Sequence, residues 1–518
     1  MMPKPIYFYY AIILLGVVFR VWGISEKNGF THDESISYLS AAGTQGEYQK
    51  LLEGNEEPLE LLVKSERFNF LFTTDTFFSF KTIAYDLANY DIHPPLYFWM
   101  LHLLVYIFGV GFKIGLILNL FISLLFLLGF YRLSRELQFS KEQSLLIIGV
   151  WYLAPAVMIS TFEARHYELF GFVSLLFLLK IISASKKEKL SVTDNIQTAL
   201  LIAAGFLTHY YFLIVLVGGL FFITIKKLSR KILLYYSAAV ILSALIFLAL
   251  FPEFLTFLSG YNGRLNGDSV SVLIKAKVFL YNLFAFFTTI HYGKYLTGVI
   301  LILIAMYFVL KYKLYSFQNI LLLRISTNFV PLFFAVWFFS AFLFLYIINI
   351  TPNQAVGGEY FSMFWPFFTI SIYVALKKVV GVRPVLKFAI PLLIMILVYS
   401  NIDQIKNADY INAQYSKEEL TEINKADLVI MTDKRRGNLP RNLYWTMSNQ
   451  MVYAGKKFVV SDLDTFNKII VLGQTNQDRK KEFFANGFEF IKSTTNAAND
   501  VTLFERKIKH ASQKKEIQ

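Results

Sequence analysis

Long apolar runs, separated by short polar stretches, dominate the chain up to about residue 400. The first covers 6–24, and others lie near 94–108, 112–131, 144–162, 167–184, 196–209, 211–225, 232–251, 277–290, 296–310, 329–350, 361–376 and 385–400. Stretches such as 114–131 and 330–350 carry no charge and are long enough to read as membrane spans. The first run exceeds the roughly 7–15 apolar residues of a signal peptide and lacks a small-residue cleavage site after it. It is expected to be a retained helix with a cytoplasmic N-terminus. Arg20, near its outer end, is long enough to snorkel to the interface.

Charge between the runs decides which of them span. Basic loops occur at Arg132/Arg135/Lys141, Lys180/Lys186/Lys187/Lys189, Lys226/Lys227/Arg230/Lys231, Lys311/Lys313/Arg324 and Lys377/Lys378/Arg383/Lys387. Short basic loops belong on the cytoplasmic side. If all thirteen runs span, the first three of these loops fall outside. If 93–108 and 277–290 instead lie along the surface as short aromatic-rich helices, all five fall inside. That reading gives eleven spans, the N-terminus in and the C-terminus out.

After residue 400 the pattern changes to that of a small α/β domain. Ser416 with Glu419 forms a capping-box signal for a helix through Leu420 and Ile423. Short strands are expected at 428–431, 451–453, 458–460 and 469–472, and a helix at 478–486 that ends at Gly487. The chain therefore reads as a polytopic α-helical membrane protein with a small C-terminal α/β extracytoplasmic domain. The expected division is a transmembrane domain 1–400, carrying a large extracytoplasmic first loop 25–111, and a C-terminal domain 401–518.

Composition supports this and narrows the classes. Apolar residues make up 56% and charged residues 17%, against roughly 45–50% and about 25% in soluble domains. A soluble enzyme, a fibrous repeat and a disordered chain are excluded. The net charge of +14 would suggest nucleic acid in a soluble protein, but here it sits largely in the loops between apolar runs. No nucleic-acid partner is expected. With no cysteine there is neither a disulfide framework nor a thiolate metal site.

Polar clusters recur on the side predicted to face outward, mostly at helix ends. Phe30-Thr31-His32-Asp33-Glu34-Ser35 puts adjacent carboxylates where the chain leaves the membrane. They can serve a substrate hydroxyl, or Asp33 can simply cap a helix over 35–42. Asp91-Ile92-His93-Pro94-Pro95-Leu96-Tyr97 can be a site element or punctuation before a helix. In Glu163-Ala164-Arg165-His166-Tyr167, the arginine is a permanently charged fork suited to phosphate, or an interfacial anchor. Thr208-His209-Tyr210-Tyr211 reads as a site or an aromatic belt, and Gly357-Gly358-Glu359-Tyr360 as a turn. His102 and His291 read as single interfacial histidines, and Glu253 as a boundary residue.

Four of these motifs in this order, HDES, HPPLY, EARHYEL and THYYFL, resemble the GT-C membrane glycosyltransferases. The likeness is to the family-39 and protein O-mannosyltransferase group, the lipid A aminoarabinose transferases and proteins with an RgtA/B/C/D-like domain. It covers about 6–250. The resemblance implies a GT-C fold and inverting transfer of a hexose or pentose from a polyprenyl-phosphate donor. The acceptor would be an extracytoplasmic glycan, lipid or protein, and the location a bacterial inner membrane. It also implies roles: Asp33 as catalytic carboxylate beside Glu34, and His93, Arg165, Tyr167, His209 and Tyr210 as donor-binding residues, with His166 beside them. Two positions depart from the family: Lys113, which can still bind the donor phosphate as a point charge, stands where arginine is frequent, and Glu359 precedes Tyr360 where arginine is frequent. No cofactor is assigned, and the use of a divalent metal is left open. The competing classes are a polytopic lipid or sugar transporter and a membrane-anchored sensor.

Overall fold

The computed structural model describes residues 5–54, 57–74, 76–187, 189–226, 230–260, 362–379, 383–407, 415–432, 437–446, 449–455, 457–473, 475–495 and 500–507, with isolated positions between 271 and 338. Glu359, Tyr360, His291, the run at 296–310 and most of those at 277–290 and 329–350 lie outside the described residues. The chain forms two compact units, Met1–Lys27 with Phe80–Leu103 and Lys113–Ile411, and Asn28–Ser79 with Leu104–Phe112 and Asn412–Gln518.

The first unit is helical. Its helix Pro5–Glu26 packs along Lys141–Leu153, Ile114–Glu136 along Tyr167–Lys186, and Val192–Thr208 along Arg230–Leu250. Small residues allow the close approach in the first pair. A Cβ on Gly16 would meet Tyr152 Cδ1 at 2.6 Å, and one on Gly149 would meet Ile12 Cγ2 at 2.8 Å. Among the described residues, Ile6–Glu26, Ile114–Glu136, Tyr167–Lys186 and Lys231–Leu250 are long and apolar enough to cross a membrane. Leu96–Phe108, Phe212–Ile225 and Trp365–Val374 are apolar but shorter.

Two expectations here need correction. The run at 144–162 is not one helix: Lys141–Leu153 stops before Pro155, which starts the short helix Pro155–Ile159. Proline has no N–H to donate and is tolerated in a first turn, so it breaks one helix and opens the next. Arg20 does not snorkel. It is fully buried, with Nε donating to Thr161 Oγ1 at 3.1 Å and Nη1 to the Tyr152 carbonyl at 2.7 Å.

The second unit is built on a six-stranded sheet in the order β1-β3-β2-β4-β6-β5. The strands are β1 Leu62–Lys64, β2 Leu428–Met431, β3 Met451–Ala454, β4 Lys468–Leu472, β5 Phe488–Thr495 and β6 Asp500–Arg506. Strands β3, β2 and β4 run parallel, with Leu428 beside both Met451 and Ile469. Side chains alternate between two cores, as strand geometry requires. Leu428, Ile430, Ile469 and Val471 pack with Phe483 and Phe504. Val429, Met431, Ile470 and Leu472 pack with Leu39, Tyr48, Leu51, Leu59, Phe68 and Leu71.

The second core therefore mixes first-loop and C-terminal residues, and β1 itself comes from the loop, pairing Val63 with Val452. The expected division at 400/401 falls inside the helix Arg383–Asn407 of the first unit, and it puts the first loop and the C-terminal segment, which share this core, in different domains. The capping box on Ser416 and Glu419 is present, and the helix Gln477–Ala485 is followed by Gly487 at φ 80°. The strand expected at 458–460 is absent. Val460–Leu463 instead forms a 3-10 turn.

Candidate active site

In the first unit the site begins with a non-helical turn between Pro155–Ile159 and Tyr167–Lys186. Its backbone carbonyls have no helical partners, and other segments supply them. Asn119 Nδ2 donates to the carbonyls of Ser160, at 3.0 Å, and Glu163. Lys27 Nζ donates to that of Phe162 at 3.1 Å, and Arg20 holds the Thr161 hydroxyl. Glu168 accepts from Ser160 Oγ. Three buried donors thus fix four successive residues, and the turn delivers Arg165 and His166 in a set geometry.

Arg165 and His166 meet the other two motifs there. Arg165 Nη2 lies 3.2 Å from His93 Nε2. A guanidinium only donates, so this imidazole nitrogen accepts. Asp91 Oδ1 stands 3.8 Å from the same nitrogen. The His166 ring sits between those of His93 and His209, with centroids at 4.5 and 4.8 Å. His209 Nδ1 accepts the Tyr211 backbone N–H at 3.1 Å, and the Tyr211 ring stacks on the His209 ring at 4.6 Å. Tyr167 borders His166 at 4.5 Å.

All of these side chains except that of Tyr211 are buried. Burial, then the neighbouring His93, His209 and Arg165, holds His166 well below the ordinary histidine range. Burial, His93 and Arg165 do the same to His209. Both rings are neutral at pH 7 and leave Arg165 as the fixed positive charge of the group. The two nitrogens of His166 make no hydrogen bond among the described residues. A buried polar atom left in that state costs about 1–3 kcal/mol.

Asp33 and Glu34 belong to the second unit, on the helix His32–Ala42. The cap is Thr31, not Asp33. Thr31 Oγ1 accepts from the Glu34 N–H, and the Glu34 carboxylate accepts the Thr31 N–H at 2.7 Å. Glu34 is fully buried in this reciprocal pair, while Asp33 is exposed. The adjacent carboxylates thus have different environments: one closes a helix end and the other faces outward. The threonine and glutamate three residues apart were the signal for this cap.

The structure brings His93, Arg165, His166, Tyr167 and His209 together. Tyr210 turns elsewhere and stacks on Phe257 at 5.2 Å. Lys113 Nζ donates to the Ser25 carbonyl at 3.0 Å. His102 is fully buried against the Phe80 ring. Asp91, Tyr211 and the Asn119 and Lys27 donors were not singled out from sequence. The first two stand inside the motifs, but Asn119 lies mid-run in an apolar helix with no motif to mark it.

Residues 92–256 match the family described as dolichyl-phosphate-mannose-protein mannosyltransferase. Among solved structures, the chain is similar to ArnT from Cupriavidus metallidurans bound to undecaprenyl phosphate. Identity is 10%, coverage 96% of this chain and 97% of that one, and the TM-score 0.51. The apo state of the same protein gives 10%, 96%, 97% and a TM-score of 0.49. The Archaeoglobus fulgidus oligosaccharyltransferase in complex with Zn and sulfate gives 12%, 88%, 68% and 0.43. No curated protein matches the chain. The matched segment includes His93, Arg165 and His209. The chain thus contains a segment similar to that family, and its fold is similar to that of ArnT.

Proposed function

We propose that the protein moves a sugar, with inversion, from a polyprenyl-phosphate carrier to a hydroxyl of an extracytoplasmic glycan, lipid or protein. The observation that carries this reading is the buried Arg165, set among His93, His166 and His209 on a turn held by Arg20, Lys27 and Asn119. Phosphate leaves an anomeric carbon as a stable anion, so the reaction needs fixed positive charge more than an acid. Arg165 supplies that charge in forked form. Neutral His166 offers one donor and one acceptor to the donor's phosphate or sugar hydroxyls. The acceptor hydroxyl needs a base, and exposed Asp33 is the group for it. The undecaprenyl phosphate in the ArnT structure supports a lipid-phosphate carrier here.

In this reading the N-terminus is cytoplasmic and the C-terminal segment extracytoplasmic. Labelling of Ser185→Cys but not Ser461→Cys by an impermeant thiol reagent in intact cells would contradict that orientation. For the activity, purified protein is given a polyprenyl-phosphate sugar and candidate acceptors, and free polyprenyl phosphate is measured. Acceptor-dependent release is expected. Binding of the donor with no release under any acceptor would favour a lipid-binding or transport role.

A further inference from the structure

The stretch around Asp33 is gripped on both sides by a segment four hundred residues away in sequence. Beyond Asp33, Ser35 Oγ lies 2.6 Å from the Gly437 carbonyl and 2.7 Å from that of His32, sharing one proton between them. Just before it, His32 Nδ1 donates to Asn438 Oδ1 at 3.2 Å. Further back, the Phe30 ring meets that of Tyr444 edge-on at 4.7 Å. Gly437, Asn438 and Tyr444 belong to the short helix Asn438–Leu443 and its flanks, which Tyr415 anchors by donating to Asn442 Oδ1 at 2.8 Å. The fit at Gly437 leaves no room for a side chain. A Cβ there would stand 2.4 Å from the His32 carbonyl oxygen and 2.6 Å from His32 Nδ1.

We infer that Gly437 and Asn438 are positioning residues for the Asp33 carboxylate. The C-terminal segment would then be part of the frame of the catalytic turn and not an accessory to it. The inference rests on the reading of Asp33 as general base. The capping box fixes the helix end from within, but it does not fix where that end points. The contacts to Gly437, Asn438 and Tyr444 do, because they hold residues 30, 32 and 35 and leave Asp33 exposed between them. A displacement of about 1 Å at a reacting group can cost 10²-fold in rate.

The test compares Ser35→Ala/Asn438→Ala with Ser35→Thr/Asn438→Asp, which keeps a hydroxyl and an acceptor oxygen in place. Each full-length protein is purified, and kcat, donor KM and donor binding are measured with a polyprenyl-phosphate sugar. The alanine pair is expected to lose about 10–100-fold in kcat with donor KM and binding unchanged. The conservative pair is expected to recover most of that loss. Gly437→Ala should behave as the alanine pair does. Wild-type kcat in the alanine pair, with Asp33→Asn inactive, would overturn the inference. So would a joint fall of kcat and donor binding with no recovery in the conservative pair. Wild-type transfer by Asp33→Asn would instead remove the reading beneath it, and the inference with it.

Discussion

At the scale of single residues, environment separates groups that sequence leaves equivalent. Asp33 and Glu34 are neighbours of the same chemistry, and only the capping box on Thr31 shows that Glu34 is occupied. His166 and His209 likewise show how burial sets protonation. Both are held below the ordinary histidine range by burial first and nearby positive groups second. In the unfolded chain each takes up a proton below about pH 6.5. The unfolded state then binds more protons than the folded one, so stability is full above that pH and falls as the pH drops beneath it. The Tm of the purified protein is therefore expected to decline from pH 7 to pH 5. Replacing His166 by asparagine should flatten that decline, and an unchanged slope would contradict the assignment of a buried neutral imidazole.

At the scale of elements, legibility followed hydrophobic pattern. The helices Ile114–Glu136 and Tyr167–Lys186 were plain because their runs are continuous. Strands β2 and β4 were plain because both faces are buried and their sequences are continuously apolar. Strand β5 was not, since beyond Phe488 it is exposed along its length, and its apolar alternation ends with Phe490. The clamp on residues 160–163 was invisible because a lone Asn119 in an apolar run has no sequence mark. Non-helical backbone at a membrane needs such internal partners. Asn119→Leu should remove the Asn119 donor from the Ser160 carbonyl, at about 1–3 kcal/mol. It should lower the Tm and weaken donor binding together. Wild-type values for both would show that the turn holds its shape without Asn119.

At the scale of the whole molecule, composition located the change from apolar to polar near residue 400. It did not show that the first loop folds with the last segment. That join rests on pairs such as Val63 with Val452, and on a core shared by Leu39, Leu71, Val429 and Ile470. Contacts so distant in sequence leave no local period to read. Removing residues 412–518 should strip this core from the first loop. The loop is then expected to become protease-sensitive and transfer to be lost, with the Tyr167–Lys186 and Ile114–Glu136 helices still inserted. A truncated protein with a protected loop would show that residues 28–79 fold without the sheet.

The central claim is that an exposed carboxylate of the second unit drives sugar transfer from a lipid phosphate. Purified Asp33→Asn and Glu34→Gln test it most directly, assayed for donor binding and for acceptor-dependent release of polyprenyl phosphate. Asp33→Asn is expected to bind donor normally and lose about 10²–10⁴-fold in rate. Glu34→Gln, which can still accept the Thr31 N–H, is expected to keep most of its activity. Near-normal release by Asp33→Asn with an inactive Glu34→Gln would move the role to Glu34, and near-normal release by both would contradict the mechanism.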